Sequence, residues 1–220
     1  ELNQLFSVLT YNTGNEVSLE GLSKASGVAK NTLKKYLDYL EAAFLIQRIH
    51  RVDQNAKRFK RITTFKVYLT NPSLRAALFG MIDQNDEAMG GLVETAVIAQ
   101  FAHSGLIDFV HYARWREGEV DLVGILSSGE IWFATEIKWS DKALNDRGKI
   151  SSLLNFAEKN GLEKARVLCR SAFEVKVYDG VKVLFYPVAD YAYFLGRLSE
   201  AELQDGINPR TYEPYQFPPD

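Results

Sequence analysis

The apolar residues at the start of the chain recur at helical spacing. A first helix is predicted over residues 2–12 from four such positions: Leu2, Leu5, Phe6 and Leu9. A second is predicted over residues 19–26, with Ser18 as its N-cap and Gly27 as the turn that ends it. A third, over about residues 30–44, follows from apolar residues three and four apart: Leu33, Tyr36, Leu37 and Leu40.

Two extended segments come next, over residues 45–52 and 61–70, with the polar and basic stretch 53–60 between them. Two helices joined by a glycine turn, the second with a polar start, are typical of a helix-turn-helix. A hairpin that follows the second helix is a wing. The pattern therefore predicts a winged helix-turn-helix domain over residues 1–70.

The rest of the chain alternates helical and extended patterns. Asn71-Pro72 breaks the first module, and residues 71–89 are predicted to be a linker that holds a short helix at 73–79. Gly90-Gly91 is expected to open a second, α/β domain over residues 90–200. Its helices are predicted at 92–104, 150–159 and 190–198, and its outer strands at 109–115, 165–170 and 181–188. Residues 201–220 include four prolines and are predicted to be an irregular tail.

The stretch from Glu119 to Lys138 reads as two apolar strands joined by the turn Ser127-Ser128-Gly129. Because side chains alternate along a strand, Glu119 and Asp121 are expected on one face of the first strand. Glu136 and Lys138 are expected together on a face of the second. Charged groups among apolar strands are costly unless they are paired or bind a cation. The pattern therefore predicts an acidic pocket with one lysine beside it.

The composition is that of an ordinary globular protein, 46% hydrophobic and 25% charged in 220 residues. Residues 1–70 carry 11 Lys or Arg and 6 Asp or Glu, a net charge of +5, whereas the remainder carries 15 and 22, a net charge of −7. This asymmetry indicates two modules with different partners. The single cysteine, Cys169, excludes a disulfide framework and a cysteine zinc site, and a cytoplasmic location is expected.

No apolar run approaches the roughly 20 residues that span a bilayer, so no membrane partner is expected. The chain begins with Glu1 and not with methionine, which indicates a piece of a longer protein. The sequence does not determine the oligomeric state.

The acidic residues have the chemistry of a divalent-cation site. Mg²⁺, or Mn²⁺ in its place, takes hard oxygen ligands, usually one or two carboxylates with waters and phosphate oxygens. Asp121 and Glu136 are predicted as ligands, with Glu94 completing the set. Such a site hydrolyses phosphodiesters, and the predicted catalytic residues are Asp121, Glu136 and Lys138.

Other interpretations stay open. Lys138 could form a structural salt bridge with an acid across the strands, and Glu94, expected in the first turn of its helix, could simply favour the helix dipole. Glu119 could support the site or pair with Arg114 or Arg116. The three histidines show no ligand spacing and are expected to be surface or packing residues: His50, His103 and His111.

Glu94, Asp121 and Glu136-Ile137-Lys138, on a helix followed by a strand meander, resemble the PD-(D/E)xK nuclease superfamily over about residues 90–190. The resemblance implies a restriction-endonuclease-like mixed sheet flanked by helices. It also implies Mg²⁺-dependent cleavage of nucleic acid at these four residues. Val120 stands where the superfamily motif often has proline, which makes the motif shorter and less specific.

A narrower resemblance covers nearly the whole chain. It rests on five segments: Tyr68-Leu-Thr-Asn-Pro72, Gly91-Leu-Val-Glu94, Tyr112-Ala-Arg-Trp115, Glu119-Val-Asp-Leu-Val123 and Glu136-Ile-Lys-Trp-Ser140. They are similar to a C-terminal domain, without an assigned activity, that follows an AAA+ ATPase module in many bacterial and archaeal proteins. The resemblance implies an ATPase domain upstream. The chain has no Gly-x-x-x-x-Gly-Lys-Ser/Thr motif, so no ATP site is expected in this fragment.

DNA is the expected partner of the first module. The predicted contacts lie in the first turns of the third helix and in the wing: Lys30, Asn31, Lys34, Lys35, Lys57, Arg58, Lys60 and Arg61. The alternative is that the winged helix mediates domain or subunit contacts. The expected function is thus a Mg²⁺-dependent nuclease acting on DNA. The alternative is an inactive DNA- or protein-binding module regulated by the upstream ATPase.

Overall fold

The computed structural model describes residues 1–59 and 64–197. These residues form seven α-helices: α1 (Leu2–Tyr11), α2 (Leu19–Ser26), α3 (Lys30–Ala42), α4 (Ser73–Phe79), α5 (Met89–His103), α6 (Ser151–Lys159) and α7 (Val188–Arg197). They also form nine strands: β1 (Glu16–Ser18), β2 (Ile46–Val52), β3 (Thr64–Leu69), β4 (Val110–Arg114), β5 (Glu119–Ile125), β6 (Ile131–Ile137), β7 (Lys164–Cys169), β8 (Glu174–Tyr178) and β9 (Val181–Pro187).

The first three helices form where the sequence predicts them. Ser18 caps α2, its side chain accepting a 3.0 Å hydrogen bond from the Gly21 amide. Gly27 ends that helix with φ 71°, a left-handed conformation that glycine adopts without steric cost. The apolar faces of α1, α2 and α3 pack on the β2–β3 hairpin around a core that includes Leu5, Leu33 and Leu37.

All nine strands join one mixed sheet in the order β1-β3-β2-β4-β5-β6-β7-β9-β8. The strand β2 links the two halves, because it pairs antiparallel with β3 and parallel with β4. The fold is therefore mixed α/β, as the sequence predicts, and its N-terminal and C-terminal halves share a sheet.

Helices cover both faces of the central strands. One apolar cluster joins α5 and α7 to the sheet and includes Val97, Phe101 and Tyr191. A second cluster, on α6, includes Leu153 and Phe156. The strands between these helices are almost fully buried, so any charged group among them needs a partner within the protein.

The structure differs from the sequence prediction at the start of α5. The helix begins at Met89, so Glu94 lies in its second turn and not in the first. Gly91 is the third residue of this helix and does not precede it. A Cβ there would lie 3.0 Å from the Thr13 carbonyl oxygen, so this glycine allows α5 to approach the N-terminal half closely.

Two strands were not predicted, β1 and β8. The signal for β8 is present in the sequence, because Asp179-Gly180 joins it to β9 with positive φ at both residues. That dipeptide between alternating valines is typical of a two-residue hairpin turn. The strand β1 has only three residues and is held by pairing with β3. The predicted tail, with Lys60 and Arg61 of the wing, lies outside the described residues.

None of the helices in the described ranges is long and apolar enough to cross a membrane.

Candidate functional site

Asp121 lies in a β-bulge of β5. The β4–β5 register pairs His111 with Val123 and Ala113 with Val120, so Asp121 and Leu122 together face Tyr112. A bulge breaks the alternation of side chains and changes the direction in which a residue points. Periodicity alone predicts regular alternation here, so the bulge is a feature that the sequence analysis missed.

Asp121 and Glu136 are neighbours across β5 and β6. Leu122 pairs with Thr135, and continuing that register by one residue sets Asp121 opposite Glu136. The Ile137 amide donates a 2.7 Å hydrogen bond to Asp121 Oδ2. Only 7% of Asp121 and 6% of Glu136 is exposed, so both carboxyl groups depend on protein partners.

Glu136 has one satisfied and one unsatisfied oxygen. Lys138 donates from Nζ to Glu136 Oε1, which confirms that the two side chains meet on one side of the strand. Glu136 Oε2 is buried and has no hydrogen-bond partner. Burial and the nearby Asp121 raise the pKa of Glu136 to about 8, against the opposing effect of Lys138. No protein group in the described residues therefore donates to this buried oxygen.

Glu94 reaches the same cluster from α5. Its Oε2 accepts a 2.9 Å hydrogen bond from the Tyr68 hydroxyl and lies 3.7 Å from Lys66 Nζ. Burial and Asp121 raise the pKa of Glu94 to about 7. The structure thus brings together all four predicted site residues, but it gives Glu94 two partners of its own on β3.

The lysine at the centre of the cluster, Lys66, was not among the predicted site residues. Its ammonium lies 2.7 Å from Glu119 Oε1 and 3.9 Å from Asp121 Oδ1. It also lies 5.4 Å from the centre of the Tyr112 ring. Although burial lowers the pKa of Lys66, the carboxylates of Glu94, Asp121 and Glu119 raise it above its ordinary value.

These contacts of Lys66 join strands that are not neighbours in the sheet. Two strands, β2 and β4, separate β3 from β5. At about 4.8 Å per strand, β3 and β5 lie roughly 14 Å apart along a flat sheet, so neither Lys66 nor Glu119 could span that distance alone. The two side chains therefore extend toward each other across the intervening strands. Nothing in the spacing of the sequence signals this approach.

The cluster as a whole carries an excess of negative charge. Arg114 lies 3.4 Å from Glu119 and 3.6 Å from Glu16, as one sequence interpretation of Glu119 expected. Five carboxyl groups then face three cations, a net charge of −2 when all are ionised: Glu16, Glu94, Glu119, Asp121 and Glu136 against Lys66, Arg114 and Lys138.

The cluster offers a divalent cation two carboxylate ligands, from Asp121 and Glu136. No group of three or more His, Cys, Asp or Glu side chains in the described ranges is arranged to hold a metal ion. Asp121 and Glu136 offer two hard oxygens, Oδ1 and the unsatisfied Oε2. Mg²⁺ commonly binds one or two carboxylates and completes its shell with water and phosphate oxygens. The donor set therefore fits Mg²⁺ or Mn²⁺.

The predicted DNA contacts come from two segments of the chain, and those within the described residues are exposed to solvent. Four of them, Lys30, Asn31, Lys34 and Lys35, are exposed on the first turns of α3, where Lys30 also lies 3.7 Å from Glu20. Lys57 and Arg58 are exposed beyond the end of β2. Arg48 contributes no free charge, because it is paired with both Asp38 and Glu41.

A separate pocket of about 590 Å³ brings together the three histidines that sequence spacing did not connect: His50, His103 and His111. His50 and His111 are partners on the parallel strands β2 and β4, and His50 Nδ1 is buried without a hydrogen bond. Burial lowers the pKa of both imidazoles. They therefore stay neutral near pH 7.

Residues 1–85 match a family described as a domain of unknown function (DUF8612). No curated protein and no solved structure matches the chain. The matched residues contain β3, and with it Lys66 and Tyr68, but none of Glu94, Asp121, Glu136 and Lys138. The acidic cluster therefore includes residues within the matched range and residues that follow it.

Proposed function

We propose that the acidic cluster is the divalent-cation site of a PD-(D/E)xK-type nuclease that acts on DNA. The observation that carries this proposal is the unsatisfied Glu136 Oε2, buried opposite Asp121 in a cluster with a net charge of −2. A buried carboxylate oxygen without a donor is costly. A bound cation relieves both that cost and the repulsion between the acids.

The placement of the residues supports the same proposal. Glu94 is on a helix, Asp121 on the middle strand of the antiparallel meander β4–β5–β6, and Glu136 at the end of its last strand. Helices cover both faces of this mixed sheet. This is the arrangement that the superfamily resemblance implies for a restriction-endonuclease-like domain.

Each side chain has a distinct role in the proposed site. Asp121 and Glu136 hold Mg²⁺, and Tyr68 and Lys66 hold Glu94 beside them. When bound, the cation neutralises the negative charge that develops on the phosphate. Lys138 has three donors, of which one is used by Glu136, so its ammonium can also hold the attacking water or a phosphate oxygen.

The N-terminal half is proposed to hold the DNA as a winged helix. Helix α3 follows α2 after the Gly27 turn, and the β2–β3 hairpin follows α3, which is the order of elements that such a domain needs. The exposed start of α3 would enter the major groove. We further propose that an AAA+ ATPase domain precedes these residues in the parent protein.

Calorimetric titration with Mn²⁺ tests the site directly. Wild type should bind Mn²⁺ saturably, and Asp121→Ala/Glu136→Ala should not. The control is Glu158→Ala, which removes an exposed carboxylate from α6 and should bind like wild type. Cleavage of single- and double-stranded DNA by the same proteins then tests catalysis. A double variant that keeps either Mn²⁺ binding or full cleavage would refute the assignment.

A second candidate is a binding module without catalysis. It is favoured by the ion pairs, because each of Glu94, Glu119, Asp121 and Glu136 has a lysine ammonium within 4.0 Å. Such a network could be purely structural. Wild type that binds duplex DNA, but takes up no Mn²⁺ even with an uncleavable duplex present, would establish this second function.

A further inference from the structure

Lys66 is the most enclosed charged group of the acidic cluster, and in the proposed site it has so far been assigned only the support of Glu94. Only 4% of its surface is exposed. Its backbone is fixed on both sides, because Lys66 pairs with Glu16 of β1 and with Ile49 of β2. A long, flexible side chain is thus anchored at its base and held at its tip by three carboxyl groups.

The contacts of Lys66 divide the cluster into two parts. Its ammonium lies 2.7, 3.7 and 3.9 Å from oxygens of Glu119, Glu94 and Asp121. Glu136 is instead paired with Lys138. Asp121 is therefore the carboxylate that stands between the two parts, with the Lys66 ammonium on one side and Glu136 on the other.

Lys66 also determines the net negative charge that a bound cation would have to neutralise. With Lys66 the cluster has a net charge of −2 when all its groups are ionised, which one divalent cation neutralises. Without it the net charge would be −3, and Glu94, Glu119 and Asp121 would face one another without the cation at their centre. Buried like charges repel strongly, so a site of that charge would attract a second cation.

We propose that Lys66 is a built-in counter-cation that takes the place of a second divalent ion. It positions Glu94, Glu119 and Asp121, and it limits the site to a single divalent cation at Asp121 and Glu136. The inference rests on the proposed cation site. It also makes the N-terminal half, through β3, a structural part of that site.

Three variants of the full chain test this role. Lys66→Met removes the ammonium and keeps an unbranched side chain. Lys66→Met/Glu119→Gln removes the closest ion pair together, so the net charge returns to −2. The control is Lys24→Met, which removes an exposed lysine that is also paired with a glutamate, Glu20. The measurements are the Mn²⁺ stoichiometry by calorimetry and the melting temperature with and without Mn²⁺.

Wild type and Lys24→Met should bind one Mn²⁺, and Lys66→Met should bind two. The melting temperature of Lys66→Met should be lowered without metal and should rise with Mn²⁺ by more than that of wild type. Lys66→Met/Glu119→Gln should recover most of the lost stability and bind one Mn²⁺. If Lys66→Met folds only when Mn²⁺ is present, the inference is equally supported.

The inference is overturned if Lys66→Met binds one Mn²⁺ as wild type and Lys24→Met do, or if it is as stable as Lys24→Met. It is also overturned if the stability lost by Lys66→Met is restored neither by Mn²⁺ nor by Glu119→Gln. Failure of the proposed function looks different. Wild type would then bind no Mn²⁺, while Glu119→Gln would still rescue Lys66→Met, which would leave Lys66 as the counter-cation of a structural cluster.

Discussion

The Tyr68 hydroxyl, on β3, donates a 2.9 Å hydrogen bond to the carboxylate of Glu94, on α5. Tyr68 is fully buried, and burial followed by the nearby Glu94 raises its pKa well above the ordinary value. The phenol therefore stays protonated and acts as a donor. This bond fastens the N-terminal half to the helix that carries a member of the acidic cluster.

Removal of that donor should destabilise the protein. In Tyr68→Phe the half-buried Glu94 carboxylate loses a hydrogen bond, and the free energy of unfolding should fall by about 1–3 kcal/mol. Tyr36→Phe is the matched control, because the Tyr36 hydroxyl bonds Glu1 at an exposed site, 3.3 Å away. Urea denaturation of both variants checks the prediction, and equal losses would contradict it.

The stability of the metal-free protein should fall as pH rises above neutrality. The folded protein holds the Glu136 and Glu94 protons with pKa values of about 8 and about 7. In the unfolded chain both glutamates have the ordinary pKa of roughly 4.3 and release their protons near that pH. The folded state therefore binds more protons between these values. The resulting stabilisation is complete below about pH 4 and is lost as pH passes through 7 and 8.

Urea denaturation in EDTA at pH 6.5 and 8.5 measures this loss. We expect the free energy of unfolding to drop by more than about 1 kcal/mol in wild type. The drop should be smaller in Glu136→Gln, which resembles the protonated form. The lowered pKa values of His50 and His111 act in the opposite direction near pH 6.5, and they are common to both proteins. Equal drops in both proteins would rule out Glu136 as the cause.

Gly124 is expected to be intolerant of a side chain. A Cβ at this position of β5 would overlap the ring of Phe133 on β6. That ring cannot move aside easily, because it stacks on Phe101 with the centroids 5.6 Å apart. Gly124→Ala should therefore lower the free energy of unfolding by about 1–3 kcal/mol.

Gly90→Ala provides the opposite control for Gly124→Ala. A Cβ at Gly90, in the first turn of α5, meets nothing within 4 Å. The change should raise the free energy of unfolding by up to about 1 kcal/mol, because alanine is the better helix former. Thermal melts of both variants check the pair, and shifts of the same sign would contradict the packing argument.

DNA binding by the N-terminal half should depend on α3. Fluorescence anisotropy with a short duplex should show affinity that falls as salt rises, with a slope of about −0.9 in log–log form for each phosphate neutralised. Lys34→Ala should weaken binding and lower that slope by about one such unit. Lys142→Ala removes an equal charge from an exposed position after β6 and should change neither. Identical slopes for the two variants would refute the α3 interface.

Much of the local structure follows from the sequence by itself. The Ser18 cap, the Gly27 turn, the helix Ser73–Phe79 and the two strands on either side of Ser127–Gly129 all depend on residues close together in the chain. The sequence also singles out Asp121, Glu136 and Lys138. Each is a charged residue among apolar strand residues, and burying such a charge is costly wherever the strand lies in the fold.

Only the tertiary structure decides which distant groups meet. In sequence, Lys66 is an ordinary lysine in a strand, and it becomes the centre of the acidic cluster because the sheet order sets its side chain within reach of Glu119 and Asp121 on β5. The bulge at Asp121 and the bond from Tyr68 to Glu94 likewise depend on strand register and on the packing of α5. These contacts join residues far apart in the chain, and periodicity describes only near neighbours.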